Sequence, residues 1–228
     1  QTDWLLPMAQ VTISGEDRAS QLSVSKDGLS LTGDKGYRMA RAVIGVSEGC
    51  WYFESVIGES KNGDQGHYRV GWATKEAELQ ASVGFDRFGF GYRDTAGSLC
   101  HDSNREDNYG EAYGPGDVVG CMISLGKTGN HIRFFRNGKD QGVAFRRVPD
   151  ATYFPAFSIY SSGQLTANFG PEWRCPPSIG PEPDLDRAPP RPISDLSSKL
   201  RFAARRDASS SADSAVRASK RHRGAQPA

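Results

Sequence analysis

The chain has 228 residues, 37% of them apolar and 10% aromatic, enough for one domain with a sizeable core and a tail. Its 26 Gly and 13 Pro point to many turns and exclude an architecture of long helices. The formal charge of +1 hides an asymmetry: residues 199–223 hold eight Lys or Arg against two Asp, a stretch of +6 that leaves −5 for the rest.

Residues 11–170 read as short strands of period two separated by turn signals. The pattern predicts strands near 11–14, 22–25, 29–32, 39–44, 50–57, 67–73, 88–93, 117–125, 131–136, 141–145, 153–160 and 164–169. Asn62-Gly63 and Asn137-Gly138 read as hairpin turns, because Asn-Gly supplies the positive φ of tight connections. CWYFESV (50–56) and DVVGCMISL (117–125) are apolar on both faces, as buried central strands are. Trp51, Phe53 and Trp72 belong to the core. Residues 76–80 could form one helical turn. No apolar run reaches the ~18 residues of a membrane span, so no membrane partner is expected. Many short strands with regular turns imply an all-β sandwich or barrel.

Two strands carry arginine on an otherwise bare face. HYRVGW (67–72) puts Tyr68, Val70 and Trp72 on one side and Arg69 and Gly71 on the other. FGFGYR (88–93) puts Phe88, Phe90 and Tyr92 inward and Gly89, Gly91 and Arg93 outward. Such a face leaves backbone uncovered around a cation, as a surface does where another chain approaches closely. An ordinary solvated arginine beside bulge glycines has the same pattern.

No catalytic, metal or cofactor site is expected. The histidines (His67, His101, His131 and His222) have no metal-ligand spacing, and there is no H-E-x-x-H or G-x-S-x-G. GEDRAS (15–20) and GDKG (33–36) are turns, since neither leads from a strand into a helix. His101, Asp102 and Ser103 are the nearest thing to a catalytic cluster, but strand neighbours point to opposite faces. Cys50, Cys100, Cys121 and Cys175 lack any C-x-x-C and read as thiols in or near the core of an intracellular protein. The opening at Gln1 rather than Met reads as a fragment or an incomplete gene model.

After Cys175 the composition shifts. Residues 176–192 are Pro-rich and extended. Residues 208–228 are Ser/Ala/Arg-rich and too poor in large apolar side chains to offset the entropy of ordering. The expected organisation is therefore a domain over 1–177 and a disordered tail over 178–228. The tail's KRHR (220–223) reads as a nuclear-localisation signal or nucleic-acid contact, or as a solvated charge run.

GCWYFES (49–55), RVGWA (69–73), GDVVGCMISL (116–125), IRFFRNGKDQGVAF (132–145), YFPAFSIY (153–160) and NFG (168–170) resemble, in this order, the blocks of SPRY domains. That resemblance implies a sandwich of two antiparallel sheets. The stretches 16–42, 79–98, 113–120, 168–173 and 191–196 are similar to the absent, small or homeotic discs two family of trithorax-group proteins, over roughly residues 3–196. The family's insertion before the FFRNG hairpin shrinks here to GKTGN (126–130).

The family resemblance implies a nuclear, non-catalytic subunit of the complexes that methylate lysine four of histone three. Its SPRY domain would bind an acidic, phosphorylatable segment of a WD-repeat, retinoblastoma-binding-type subunit. The pair would stimulate a SET-domain methyltransferase subunit. The resemblance maps the peptide site onto Tyr37, Arg69, Ser82, Phe85, Arg93 and Thr95. Tyr37, Arg69 and Arg93 match the family, whereas Ser82 stands for a proline, Phe85 for a tyrosine and Thr95 for a lysine. The family's C-terminal helix docks on a dumpy-thirty-type subunit through apolar anchors at helical spacing. After RPISDL only Leu196, Leu200 and Ala203 or Ala204 remain before Arg205 and Arg206, so weak or no docking is expected. Other SPRY classes, such as ubiquitin-ligase substrate receptors and RNA-associated proteins, share the core blocks but lack the Tyr37, Arg69, Phe85 and Arg93 set.

Overall fold

Alternation of apolar and polar residues builds strands, and the strands stack into two sheets. The structure, a computed structural model, describes residues 10–60, 66–127, 129–180 and 189–200. In chain order its strands are β1 (Ile13–Arg18), β2 (Ser23–Val24), β3 (Ser30–Thr32), β4 (Arg38–Ala42), β5 (Gly49–Ile57), β6 (His67–Ala73), β7 (Gly89–Arg93) and β8 (Ser98–His101). There follow β9 (Asn104–Glu106), β10 (Val118–Leu125), β11 (His131–Arg136), β12 (Lys139–Arg146), β13 (Phe154–Tyr160), β14 (Gln164–Asn168) and β15 (Arg191–Pro192). One sheet runs β1-β4-β13-β6-β7-β8-β9, and the other β12-β11-β10-β5-β14-β3-β2. The chain is thus all-β as its pattern predicts, and it forms the sandwich of two antiparallel sheets that the resemblance implies; each of the twelve expected strands is present.

The main core lies between the sheets. Phe53 of β5 meets Trp72 of β6 and Phe157 of β13 edge-on, with ring centroids 5.1 and 5.4 Å apart. Both faces of β5 are buried: Trp51 and Phe53 face the sandwich interior, while Cys50 and Tyr52 pack outward with Met122, Phe135 and Trp173. The β11–β12 hairpin turns on Asn137 (φ 50°) and Gly138 (φ 79°), with Arg136 opposite Lys139, as the Asn-Gly pair requires. Asn62-Gly63 lies outside the described residues. Residues 76–80 form turns rather than a helical turn.

Three expectations change. Phe88 does not share the inward face of β7. The strand begins at Gly89, and Phe88 packs on the outer side of the seven-stranded sheet, beside a small cluster of Met39, Ala73, Ala77, Val83 and Ala156. The outer glycines are not bare either. A Cβ on Gly91 would lie 2.9 Å from the Val83 carbonyl oxygen, and one on Gly89 2.8 Å from the Gly84 nitrogen. The close-approaching chain is therefore this protein's own 74–88 loop.

The third change concerns the boundary at 177. β14 pairs with β5 only from Glu54 to Ile57, leaving Trp51 and Tyr52 without a neighbour on that side. β15 fills the gap, running parallel to β5 with Arg191 opposite Trp51 and Pro192 opposite Tyr52. Ile193 and Leu196 then enter the main core at 0% and 4% exposure, with Leu200 packed against it. Apolar side chains at 193 and 196 are thus part of the domain, which is why a Pro-rich composition did not mark its end. Residues 201–228, which include the basic cluster, lie outside the described residues.

Candidate peptide-binding face

The outer face of the seven-stranded sheet collects five of the six expected site residues. Alternation along β6 and β7 sends Tyr68, Val70, Phe90 and Tyr92 into the core and Arg69 and Arg93 outward. The antiparallel register sets Arg69 directly opposite Arg93. Like charges in that relation repel, at a cost of order 0.2–1 kcal/mol. Neither guanidinium has an ion pair among the described residues, and the Nε of each is buried without a hydrogen-bond partner.

Tyr37, in the turn before β4, lies beneath Arg69, whose Cζ is 4.8 Å from the ring centroid. The far side of the Tyr37 ring meets Tyr160, 5.1 Å away and 42% exposed. Burial pushes the Tyr37 hydroxyl's pKa up, and the Asp94 carboxylate adds to this while Arg69 and Arg93 oppose it. The hydroxyl sits beside Arg93 but makes no hydrogen bond of good geometry.

Ser82 and Phe85 come from the 74–88 loop, which is fixed at several points. The Asp86 carboxylate accepts from the Glu78 and Phe88 backbone N–H groups, both at 2.9 Å. Val83 N–H donates to Ser158 Oγ at 2.8 Å, and Ser103 Oγ donates to the Phe85 carbonyl at 2.7 Å. Phe85 is held by its backbone while its ring is 53% exposed. Arg69, Ser82 and Phe85 line a cavity of about 170 Å³.

Thr95 falls outside this cavity. It begins a 3-10 turn after β7, exposed, with its hydroxyl 3.4 Å from His67 Nδ1 and 3.3 Å from Asp94. His67 and Asp94 form a pair at 2.8 Å there. The opposite wall of the cavity consists of Cys100, Ser103, Asn104 and Arg105, from the β8–β9 hairpin. None of these was a sequence candidate. The signal that could have found them is Asp102-Ser103, a two-residue turn at φ 50° and 60°.

His101, Asp102 and Ser103 do not converge. His101 stacks on Phe90 at 4.1 Å and contacts the Gly89 carbonyl through Nδ1, while Ser103 reaches the loop. Among the described residues no group of His, Cys, Asp and Glu side chains could hold a metal ion. Cys100, Cys121 and Cys175 are free thiols, the first two buried, and Cys50 is buried as well.

Residues 50–172 match the family model described as SPRY domain. The Set1/Ash2 histone methyltransferase complex subunit ASH2 of Drosophila melanogaster is 34% identical over 207 residues, covering 73% of this chain and 37% of that protein. The ATP-dependent RNA helicase Ddx1 of the same organism is 37% identical over 167 residues, covering 70% of this chain and 21% of the helicase. The chain thus spans little more than a third of the first relative and about a fifth of the second. The crystal structure of the SPRY domain of human HERC1 superposes with a TM-score of 0.60 at 23% identity, over 71% of this chain and 99% of that domain.

Proposed function

The chain belongs to the SPRY domain family, and from that premise we propose that it is a non-catalytic adaptor of a Set1/Ash2-type histone methyltransferase complex. Its outer face would bind an acidic or phosphorylated peptide of a WD-repeat partner, and the pair would help to stimulate a SET-domain subunit in the nucleus. The observation that carries this reading is the Arg69–Arg93 pair. Two guanidiniums face each other on a sheet, and among the described residues neither is ion-paired with a carboxylate. An incoming oxyanion relieves that repulsion and gains charge-assisted hydrogen bonds, each worth about 1.5–3 kcal/mol. The Set1/Ash2 relative supports the assembly. Leu196 and Leu200 face this chain's own core, which supports weak docking of a dumpy-thirty-type subunit.

The test is titration of an acidic peptide from the WD-repeat partner against wild type, Arg69→Ala and Arg93→Ala. Each replacement is expected to weaken binding about 10- to 100-fold. Folded variants that bind as tightly as wild type would remove the site. The helicase relative favours a second reading, a SPRY module of another class such as an RNA-associated protein. Pull-down from nuclear extract separates the two: co-purification of WD-repeat and SET-domain subunits supports the first, and their absence with recovery of RNA-bound proteins supports the second.

A further inference from the structure

The cavity beside Arg69 is walled on its far side by a strand that the peptide-site resemblance does not touch. β9 is the last strand of its sheet, and Arg105 sits on it opposite Cys100. β6 and β9 are three strands apart, roughly 14 Å at the usual strand spacing, yet Arg69 and Arg105 line the same 170 Å³ cavity. Gly71, Gly91, Cys100 and Arg105 are successive cross-strand partners, so the only side chain of that row before Arg105 is the small Cys100, which lines the cavity together with Gly84 of the 74–88 loop. A water takes roughly 30 Å³ of liquid volume, so the cavity has room for a charged side chain with several heavy atoms.

Arg105 is oriented but not used up. Its Nε pairs with Asp107 Oδ1 at 3.0 Å and one terminal nitrogen donates to Oδ2 at 3.3 Å, which leaves the other terminal nitrogen for a ligand; both side chains are about half exposed. Ser98 Oγ, donating at 2.6 Å, holds Asp107 in place. Arg69 and Arg105 both line the cavity with Cys100, and both oppose the rise that burial causes in the Cys100 thiol's pKa, as does Arg93 from outside the cavity. On the other side of the pair, Thr95 offers only a hydroxyl, beside the Asp94 carboxylate that His67 engages.

We propose that Arg105 is the third cation of the peptide site, and that the ligand's phosphate seats in the cavity between Arg69 and Arg105 rather than beside Thr95. This rests on the peptide-binding reading and specifies where its strongest charge goes. Two guanidiniums lining one cavity, with Arg93 opposite Arg69 on the neighbouring strand and Asp107 paired to Arg105, suit a dianion better than a single carboxylate. A phosphoryl group carries about −1.5 to −2 charges and three acceptor oxygens, enough to engage two arginines at once. The exposed Phe85 ring forms the apolar lip of the cavity and fits a neighbouring apolar ligand side chain.

The test uses the full chain and a short Glu- and Asp-rich peptide, with and without one phosphoserine. For wild type the phosphopeptide is expected to bind roughly tenfold or more tightly. In Arg105→Ala that gain should vanish, so that the phosphopeptide loses more affinity than the plain peptide does. Arg105→Lys should recover part of it, as a point charge replaces the fork. Thr95→Ala should keep the full gain. An undiminished gain in Arg105→Ala overturns the proposal, as does a wild type with no gain at all. The broader reading fails separately: it falls if Arg69→Ala leaves both peptides bound as in wild type, whereas loss of both in Arg69→Ala with an intact gain in Arg105→Ala sinks only the Arg105 assignment.

Discussion

Arg41 and Asp17 show at residue scale how the binding face is held. Arg41 is 2% exposed and donates to Asp17 through Nε at 3.0 Å and through a terminal nitrogen at 2.8 Å. Its other terminal nitrogen reaches the Thr74 and Ala77 carbonyls, which anchors the start of the loop carrying Ser82 and Phe85. Burial alone would raise the Asp17 pKa, but hydrogen bonds from Arg41 and Lys75 overcome it and hold the carboxyl below the usual range. A depressed carboxylate contributes stability that is present above its unfolded value of about 3.9 and is lost as pH falls through the lower folded value. Asp17→Asn strands a buried cation and should cost about 3 kcal/mol at neutral pH. The gap between the urea midpoints of wild type and variant should narrow as pH falls from about 3.9 toward the lower folded value, because wild type progressively loses the same charge. A gap that does not narrow as the solution is acidified below about 3.9 would show that Asp17 acts through packing rather than charge.

At the scale of elements, the sequence reveals those with a hydrophobic period and misses those held by something else. Period-two alternation exposes β6 and β7 and separates Arg69 and Arg93 from the core side of those strands, while runs apolar on both faces expose β5 and β10. β9 reads Asn-Arg-Glu and is exposed throughout, so alternation has nothing to register. Ser82 and Phe85 were reachable only through family resemblance, since their loop is set by Asp86 and Ser158 rather than by a period. β15 hides in Pro-rich chain, and its evidence is tertiary: the open edge at Trp51 and Tyr52. A clear expectation follows. Ile193→Ala should cost about 2–5 kcal/mol, the range for a large side chain deleted from a well-packed site. Ending the chain at residue 177 should cost at least as much, because Ile193 and Leu196 are both lost. Denaturant unfolding of chains ending at 177 and at 200 checks this. Equal midpoints would mean the returning segment docks without stabilising the sandwich.

For the whole molecule, charge distribution and rigidity make opposite demands on an acidic ligand. The site is built from strands of one sheet and a loop pinned by side-chain hydrogen bonds, so little backbone movement is expected on binding. On the proposed site, short-range attraction at Arg69, Arg93 and Arg105 would then govern how slowly the peptide leaves. Approach is different, because long-range forces sense net charge, and residues 1–198 carry −5 while 199–223 carry +6. An acidic peptide is therefore repelled by the sandwich and attracted by the basic stretch. A chain ending at residue 200 keeps Ile193 and Leu196 but loses nearly all of that positive charge. Its association rate should fall several-fold at low salt, while its dissociation rate stays that of the full chain. Raising salt to ~0.15 M, where the screening length is about 8 Å, should slow association of the full chain and speed that of the shortened one. Stopped-flow mixing at two ionic strengths reads both rates. If the two chains associate equally fast and with the same salt dependence, the basic stretch does not steer the ligand, and its charge serves another purpose.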